Sequence, residues 1–435
     1  MEIFLQIIIV LGCIFIGASY KGIGLGIWGG FGLGVLVLAF GIRPTSPPID
    51  VMLIITAVIT AASVMYSAGG VDFMVRVAEK IIRSNPKQIT IIAPITTWFF
   101  AFLAGTAHIG YPLLPVIYEV AVSVGIRPEK PMAVSAVACQ QAITASPVSA
   151  ATAALLGLFA AKNFDISLGQ ILMITVPASI IGVFAASFVQ IYVGKNLKDD
   201  PQLLENIRRA QTEVTIEKKE LPKRAWLSAL IFVLGVVFVV LTGFFPELRT
   251  VGDAKKAISM ASFLQIFMFV VATVILIVCK CKLKTAVESP IMRAGVTALI
   301  AVFGLAWLGD SFISAHKAAL LAAGKDIVGE YPWVFAICLF ALSVVLHSQA
   351  ATVRALMPLG LALGISSGAL IGMYPAVNGL FFVPTSGLLV AAIAFDRSGS
   401  TKIGRYVLNH SFMIPGFVAT VTAVITGLIL QQILL

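Results

Sequence analysis

Three stretches in the first half of the chain, GTAH (105–108), LPVIYEVAVSVGI (114–126) and ITASPVSAATAALL (143–156), decide the reading together with HSQA (347–350), MPLGLALGI (357–365) and FFVPTSGLLVAAI (381–393) in the second. Each half follows one order: a small-polar break, a short Pro-headed helix ending Gly-Ile, then a Pro-containing polar break before an Ala-rich helix. Proline inside a helix frees a carbonyl and interrupts the ladder. At membrane depth, irregular backbone persists only where protein buries it or where it lines a cavity. Matching broken helices in two halves point to inverted repeats around a midplane binding site.

Working outward, the whole chain has the composition of a membrane protein. Its 435 residues are 59% hydrophobic and only 11% charged, with a mean hydropathy of +1.02. A spanning helix takes roughly 20 apolar residues, leaving room for about ten or more. This excludes a soluble enzyme, a nucleic-acid-binding domain and a disulfide scaffold. Apolar runs lie at about 2–18, 22–41, 50–68, 88–104, 110–124, 132–160 and 168–193, then at 225–245, 258–279, 291–309, 332–346, 353–365, 368–395 and 409–433. Between the two sets, Lys195 to Arg224 carries eight Lys/Arg and six Asp/Glu, too many to cross a bilayer. The predicted architecture is therefore an all-α polytopic membrane protein: an N-terminal repeat (1–194), a cytoplasmic polar linker (195–224) and a C-terminal repeat (225–435). Each repeat has about five to six spans with re-entrant, broken-helix hairpins.

The net charge of +10 follows loop positions instead of one face, so it reads as positive-inside bias and not as a nucleic-acid surface. With the N-terminus outside and spans alternating, 20 of the 30 Lys/Arg face the cytoplasm and seven face out, and the C-terminus also falls outside. The five cysteines are scattered, and Cys279 and Cys281 have no second pair or His nearby to complete a metal set. The first run, Met1 to Ala18, lacks a basic start and a cleavage site and reads as a retained span.

Candidate binding residues are the neutral polar groups of the breaks: Thr106, His108, Ser146, Ser149, Ser348, Gln349, Thr352, Asn378, Thr385 and Ser386, with Pro147 and Pro384 beside them. A half-helix N-terminus offers unpaired N–H groups and about half a positive charge, where anions settle. Two such ends, at Ser146-Pro147 and Pro384-Thr385, suit a substrate with two anionic groups, one carboxylate at each. His108 is either a satisfied core histidine or a group that couples transport to protons. Arg127, in GIRPEKP, is either a surface charge or a guanidinium steering carboxylates at the cavity mouth; Arg354 either needs a partner, if it is buried, or lies in the vestibule, and both are candidates for substrate steering or gating. Asp310 and Asp396 read as solvated helix ends. The glycines of IGLGIWGGFGLG (23–34) read as a close-packing seam or a dimer face. An enzyme needs a nucleophile–base or metal constellation, which four dispersed His do not supply. Paired inverted halves favour a carrier over a channel.

The residues also resemble a family. PPIDVMLII (47–55), SAGGVDFMVRVAEKIIRSNPKQITIIAP (67–94), AGTAHIGYPLLPVIYEVA (104–121), RPEKPMA (127–133), HSQAA (347–351), ALMPLGLALG (355–364) and FDRSGSTKIGRYVLNHSFMIPG (395–416) together resemble the anaerobic C4-dicarboxylate transporters of the Dcu type. The resemblance implies a carrier in the bacterial inner membrane that exchanges fumarate, malate or aspartate for succinate, or takes such acids up with Na⁺ or H⁺. It implies no bound cofactor, a lipid-embedded homodimer, and elevator-like scaffold and transport domains of the ion-transporter superfamily. Other small anions (a monocarboxylate, an amino acid, a longer diacid) are the alternative cargo. The chain departs from the family pattern at Ala107, where Gly is common, and at Ser386-Gly387, where Tyr-Pro is common. The second departure implies a wider site or a changed preference among acids.

Overall fold

The computed structural model describes residues 2–435 except 21, 165, 195–196, 198–199, 212–219, 253–256, 385 and 405–408; for 209–211, 317 and 320–329 it describes the backbone alone. Among these residues the chain is helical throughout, with an isolated bridge between Ile403 and His410. The first half comprises α1 (Glu2–Ser19), α2 (Gly24–Phe40), α3 (Ile49–Ser67), α4 (Gly70–Ser84), α5 (Ile89–Ala104), α6 (Gly110–Ser123), α7 (Glu129–Ala145), α8 (Ala150–Ala161) and α9 (Leu168–Tyr192). In the polar stretch lies α10 (Pro201–Gln211). The second half has α11 (Ala225–Phe244), α12 (Met260–Cys279), the short α13 (Leu283–Val287), α14 (Pro290–Glu330), α15 (Val334–Leu346), α16 (Gln349–Ala362), α17 (Ser367–Met373), α18 (Gly387–Phe395) and α19 (Met413–Leu434). A 3₁₀ segment, Tyr374–Phe381, continues α17. Nine helical segments among the described residues are long and apolar enough to span a membrane.

Local chemistry sets the element ends. Ser167 and Gln170 form a reciprocal capping box that starts α9. In α4 the buried residues Val71, Met74, Ala78 and Ile82 make one stripe, while Arg76, Lys80 and Arg83 are exposed, so this helix lies along a surface. Arg83 bonds both Glu79 (2.9 Å) and Glu119 (2.8 Å), tying α4 to the end of α6.

Contacts between loops fix the topology. Lys87 and Gln88 before α5, Gly125 to Arg127 after α6, Lys130 in α7 and Ile191 in α9 line one cavity of about 260 Å³. Both ends of the α5–α6 pair therefore open on the face where Arg127 meets Asp200 of the linker, and its tip, 105–109, lies at depth. The α15–α16 pair is the mirror case. Phe335 at its start touches Gly360 near its end. The next turn, at Gly368, abuts Leu435 at the far end of α19, whose beginning sits on the linker face through Ser411 and Glu129. One hairpin enters from the linker face and the other from the opposite face, as the inverted repeat pattern predicts. The run 132–160 resolves into α7 and α8, broken at 146–149, and the run 368–395 into α17 with its 3₁₀ continuation to Phe381 and α18 from Gly387.

Helix packing falls into two groups. In the first, α14 packs on α2 and α3, α12 on α3, and α1 on α2; in the second, α9 packs on α19 and α7, α5 on α7, and α17 on α19; the two meet where α14 packs on α16 and α3 on α8. Small residues let the backbones meet. A Cβ on Gly304 would stand 1.9 Å from the Gly26 carbonyl oxygen, and one on Gly182 would stand 2.4 Å from that of Ala419. The glycines at 26 and 29 thus form an intramolecular seam against α14.

Candidate functional site

The first hairpin tip rests on the first break. Gly105 takes a positive φ of 66°, and a Cβ there would lie 2.6 Å from the Val148 carbonyl oxygen. Thr106 caps the turn that follows, accepting from the His108 amide (3.3 Å) while its hydroxyl meets His108 Nδ1 (2.7 Å). Behind the tip, the α7–α8 break is sealed. Ser146 donates to the Phe102 carbonyl (2.7 Å), and Ser149 donates to the Ile143 carbonyl (2.7 Å) and accepts from the Thr152 amide (3.1 Å). Ser146, Pro147 and Ser149 are all buried. The N-terminus of α8 is therefore capped from within.

A neutral amide cluster joins the two halves. Gln349, just past the second hairpin tip, donates to Asn378 Oδ1 (2.6 Å) and to the Gln140 carbonyl (2.9 Å). Asn378 donates in turn toward Gln141 Oε1 (3.0 Å) and Thr144 Oγ1 (3.1 Å). Gln141 donates to Thr420 Oγ1 at 2.8 Å. These groups are buried, and the mutual bonding removes the cost of burying them. Ser348 caps α16 through the Ala351 amide (3.3 Å), and Thr352 donates back to the Ser348 carbonyl (2.8 Å). Sequence reasoning picked Gln349 and Asn378 and missed Gln140, Gln141, Thr144 and Thr420. The available signal was two adjacent glutamines inside an otherwise Ala-rich apolar run.

The described residues of the second break are bonded differently from those of the first. The N-cap of α18 is Ser386, whose side chain makes no capping bond, and among the described residues its buried Oγ has no partner. Pro384 is buried; Thr385 lies outside the described residues. Gly387 is exposed, yet a Cβ on it would stand 2.4 Å from the Tyr111 hydroxyl. Tyr111 stands just beyond the first hairpin tip, its ring 5.8 Å from that of His108. The Ser386-Gly387 departure therefore does not simply widen the site, because the phenol occupies the room the glycine leaves. Tyr111 is a fifth residue that the sequence reading passed over.

The charged candidates lie apart from this centre. Arg127 sits on the linker face, held by Glu129 (2.9 Å) and Asp200 (3.1 Å). Arg354 is 2% exposed and reaches Asp310 at 3.3 Å. Asp310 is thus a largely buried partner inside α14 and not a solvated helix end, because α16 packs against it. Asp396 is likewise buried. Its carboxylate accepts from Ser398, from Ser400 Oγ (2.6 Å) and from the Thr401 amide (2.6 Å), which folds the loop after α18. Among the described residues, no group of three or more His, Cys, Asp or Glu could hold a metal ion.

The profile of the family described as anaerobic C4-dicarboxylate membrane transporter matches residues 2–435. The chain belongs to this family. It is 40% identical over 435 residues to the C4-dicarboxylate transporter DcuA of Escherichia coli K12, covering 99% of each chain. It is 39% identical over 432 residues to DcuA of Wolinella succinogenes, again covering 99% of each, and 38% identical over 433 residues to the anaerobic C4-dicarboxylate transporter DcuB of Escherichia coli O6:H1, covering 97% of each. Among solved structures, the fold is similar to the YdaH transporter of Alcanivorax borkumensis (TM-score 0.58, 15% identity, 91% of this chain and 87% of that one). It is also similar to MtrF of Neisseria gonorrhoeae (TM-score 0.57, 12% identity, 92% and 84%). This member of the anaerobic C4-dicarboxylate family is a multi-pass membrane transporter and not an enzyme.

Proposed function

We propose that the protein carries C4-dicarboxylates such as fumarate, succinate, malate and aspartate across the bacterial inner membrane, exchanging one diacid for another by alternating access. The observation that carries this reading is the uncapped N-terminus of α18 beside the first hairpin tip. One carboxylate sits there, taking hydrogen bonds from the first-turn amides, Ser386 and the Tyr111 hydroxyl, with Thr106 and His108 alongside. A helix N-terminus stabilises such a charge through its unpaired N–H groups and dipole. The N-terminus of α8 has its hydroxyls committed internally, so the second carboxylate falls to the other hairpin tip at His347-Ser348, where His347 is exposed. Keeping formal charge out of the contacts fits a cargo that must leave as readily as it enters.

In this reading the hairpins, the broken spans and the helices packed on them move as one body against α1–α3, α11, α12 and α14. The linker face is cytoplasmic and both termini are periplasmic, as the distribution of basic residues favours.

Proteoliposomes loaded with unlabelled succinate test the proposal. Uptake of labelled fumarate that requires internal diacid, and that malate competes away, is the expected result. Uptake from empty vesicles driven by an imposed Na⁺ or H⁺ gradient replaces exchange with symport. Folded protein that moves no C4-diacid under either condition, while moving a monocarboxylate or a longer diacid, overturns the substrate assignment.

A further inference from the structure

The ion pair between Asp310 and Arg354 lies outside the breaks and does nothing for them directly. Asp310 belongs to α14, which is fixed in the first packing group: Gly304 meets the backbone of Gly26 in α2, and a Cβ on Gly295 would stand 2.4 Å from Ile59 of α3. Arg354 belongs to α16, whose first residue, Gln349, is bonded to Asn378 and the Gln140 carbonyl in the second group. The pair therefore bridges the two groups.

Its chemistry is unusual for a stabilising contact. Arg354 is 2% exposed and Asp310 12%, and one hydrogen bond of 3.3 Å joins them. Among the described residues, Arg354 Nε and Nη1 and Asp310 Oδ1 have no partner. A guanidinium has five donors arranged for a two-bond fork with a carboxylate, and that fork is not made. An ion pair buried this deeply with unmet donors gains little over an apolar pair of the same volume, while losing either partner alone is costly. The remainder of the seam is apolar packing, with Ala301 and Leu305 of α14 in one cluster with Ala351 of α16. Gly309 faces Ala355, and an apolar cleft of about 240 Å³ runs beside them between Leu305, Leu308 and Phe312 of α14 and Leu356 and Leu359 of α16. Among the described residues no other hydrogen bond or ion pair joins α14 to α16. Among the described residues, Lys162, just past the end of α8, is a second cation within electrostatic reach of Asp310.

We propose that the Asp310–Arg354 pair is a positioning latch for transport: closed here, it sets the register of the second hairpin on α14, and it must open for that hairpin to move. It governs how fast the carrier turns over and not how tightly it holds its diacid. The inference rests on the alternating-access reading given above.

The test uses D310N/R354Q and the charge-exchanged D310R/R354D in the full chain, since either single change strands a buried charge. In D310N/R354Q the half-saturating diacid concentration stays within about twofold, while the maximal exchange rate changes by about fivefold or more, as a shifted conformational barrier requires. D310R/R354D moves that rate back toward wild type. In a background with the native cysteines replaced, G309C/A355C cross-linked by oxidation stops exchange, reductant restores it, and D310N/R354Q alters the rate of cross-linking. An unchanged exchange rate in D310N/R354Q, exchange that survives the cross-link, or affinity falling in step with rate each overturns the latch. Should the wild-type chain move no C4-diacid, the transport reading fails by itself. Cross-linking without substrate then still decides the latch, which fails if D310N/R354Q cross-links at the wild-type rate.

Discussion

Ser146 and Ser386 occupy matching places, each near a proline at the head of an apolar half-helix, and folding gives them different tasks. Ser146 spends its hydroxyl on the Phe102 carbonyl, whereas Ser386 Oγ has no partner among the described residues. Ser146→Ala is expected to cost about 1 kcal/mol of stability and leave diacid affinity unchanged. Ser386→Ala and Tyr111→Phe are each expected to weaken affinity by roughly tenfold with little change in melting, the usual loss for a hydrogen bond to a charged group. Binding titrations and melting curves on the same preparations separate the two patterns. His410, in the loop before α19, gives a pH prediction. Its Nδ1 accepts from the Phe412 amide (3.1 Å) and its Nε2 donates to the Phe382 carbonyl (3.2 Å), so the ring is neutral, and burial holds its pKa below the ordinary value. A group whose folded pKa is depressed contributes stability that is complete above its unfolded pKa of about 6.5 and is lost as pH falls through the lower folded value. Wild type should lose melting temperature between neutral pH and about pH 5 more steeply than His410→Gln. Parallel pH profiles of the two proteins would reject this assignment.

At the scale of elements, hydropathy and proline placement located most of the apolar helices within a few residues, but missed the amphipathic α4, the short α13 and the continuation of α14 to Glu330. A hydropathy run records only that a segment is apolar, so 132–160 and 368–395 are continuous by hydropathy, and it is their prolines and small polar residues that announced the breaks. What breaks α7 from α8 is the bonding of Ser146 and Ser149 to carbonyls of α5 and α7, a tertiary matter. The same limit applies to the glycines of α2, whose spacing announced a close contact without naming the partner. The structure names α14. Gly304→Val would force a side chain into the Gly26 backbone and is expected to cost about 3 kcal/mol or more, read as lost monodisperse protein or a lowered melting temperature in detergent. Gly30→Val, where a Cβ meets nothing within 4 Å, is the matched control and should be tolerated.

Across the whole molecule, the two hairpins enter from opposite faces, and the second is tied to α7 of the first half through the Gln349–Asn378–Gln141 cluster. Asn378→Ala should therefore impair both halves, lowering stability by about 2 kcal/mol because it strands buried amides of Gln349 and Gln141. Combined with Gln349→Ala it should show clear non-additivity in a double-mutant cycle. The sequence by itself determined that this chain is an all-helical membrane transporter with two inverted halves, because hydrophobic length, charge placement and the repeated order of breaks are one-dimensional quantities. It also marked most of the polar residues at the breaks, since a hydroxyl or amide in an apolar run stands out by type. Only the tertiary structure decided which of those groups are spent and which are available. It closed the α8 terminus and left the α18 terminus open, drew Asp310 out of water to meet Arg354, and set Tyr111 over Gly387. Whether a polar group has a partner depends on atoms brought from distant parts of the chain, and no spacing along the sequence records that.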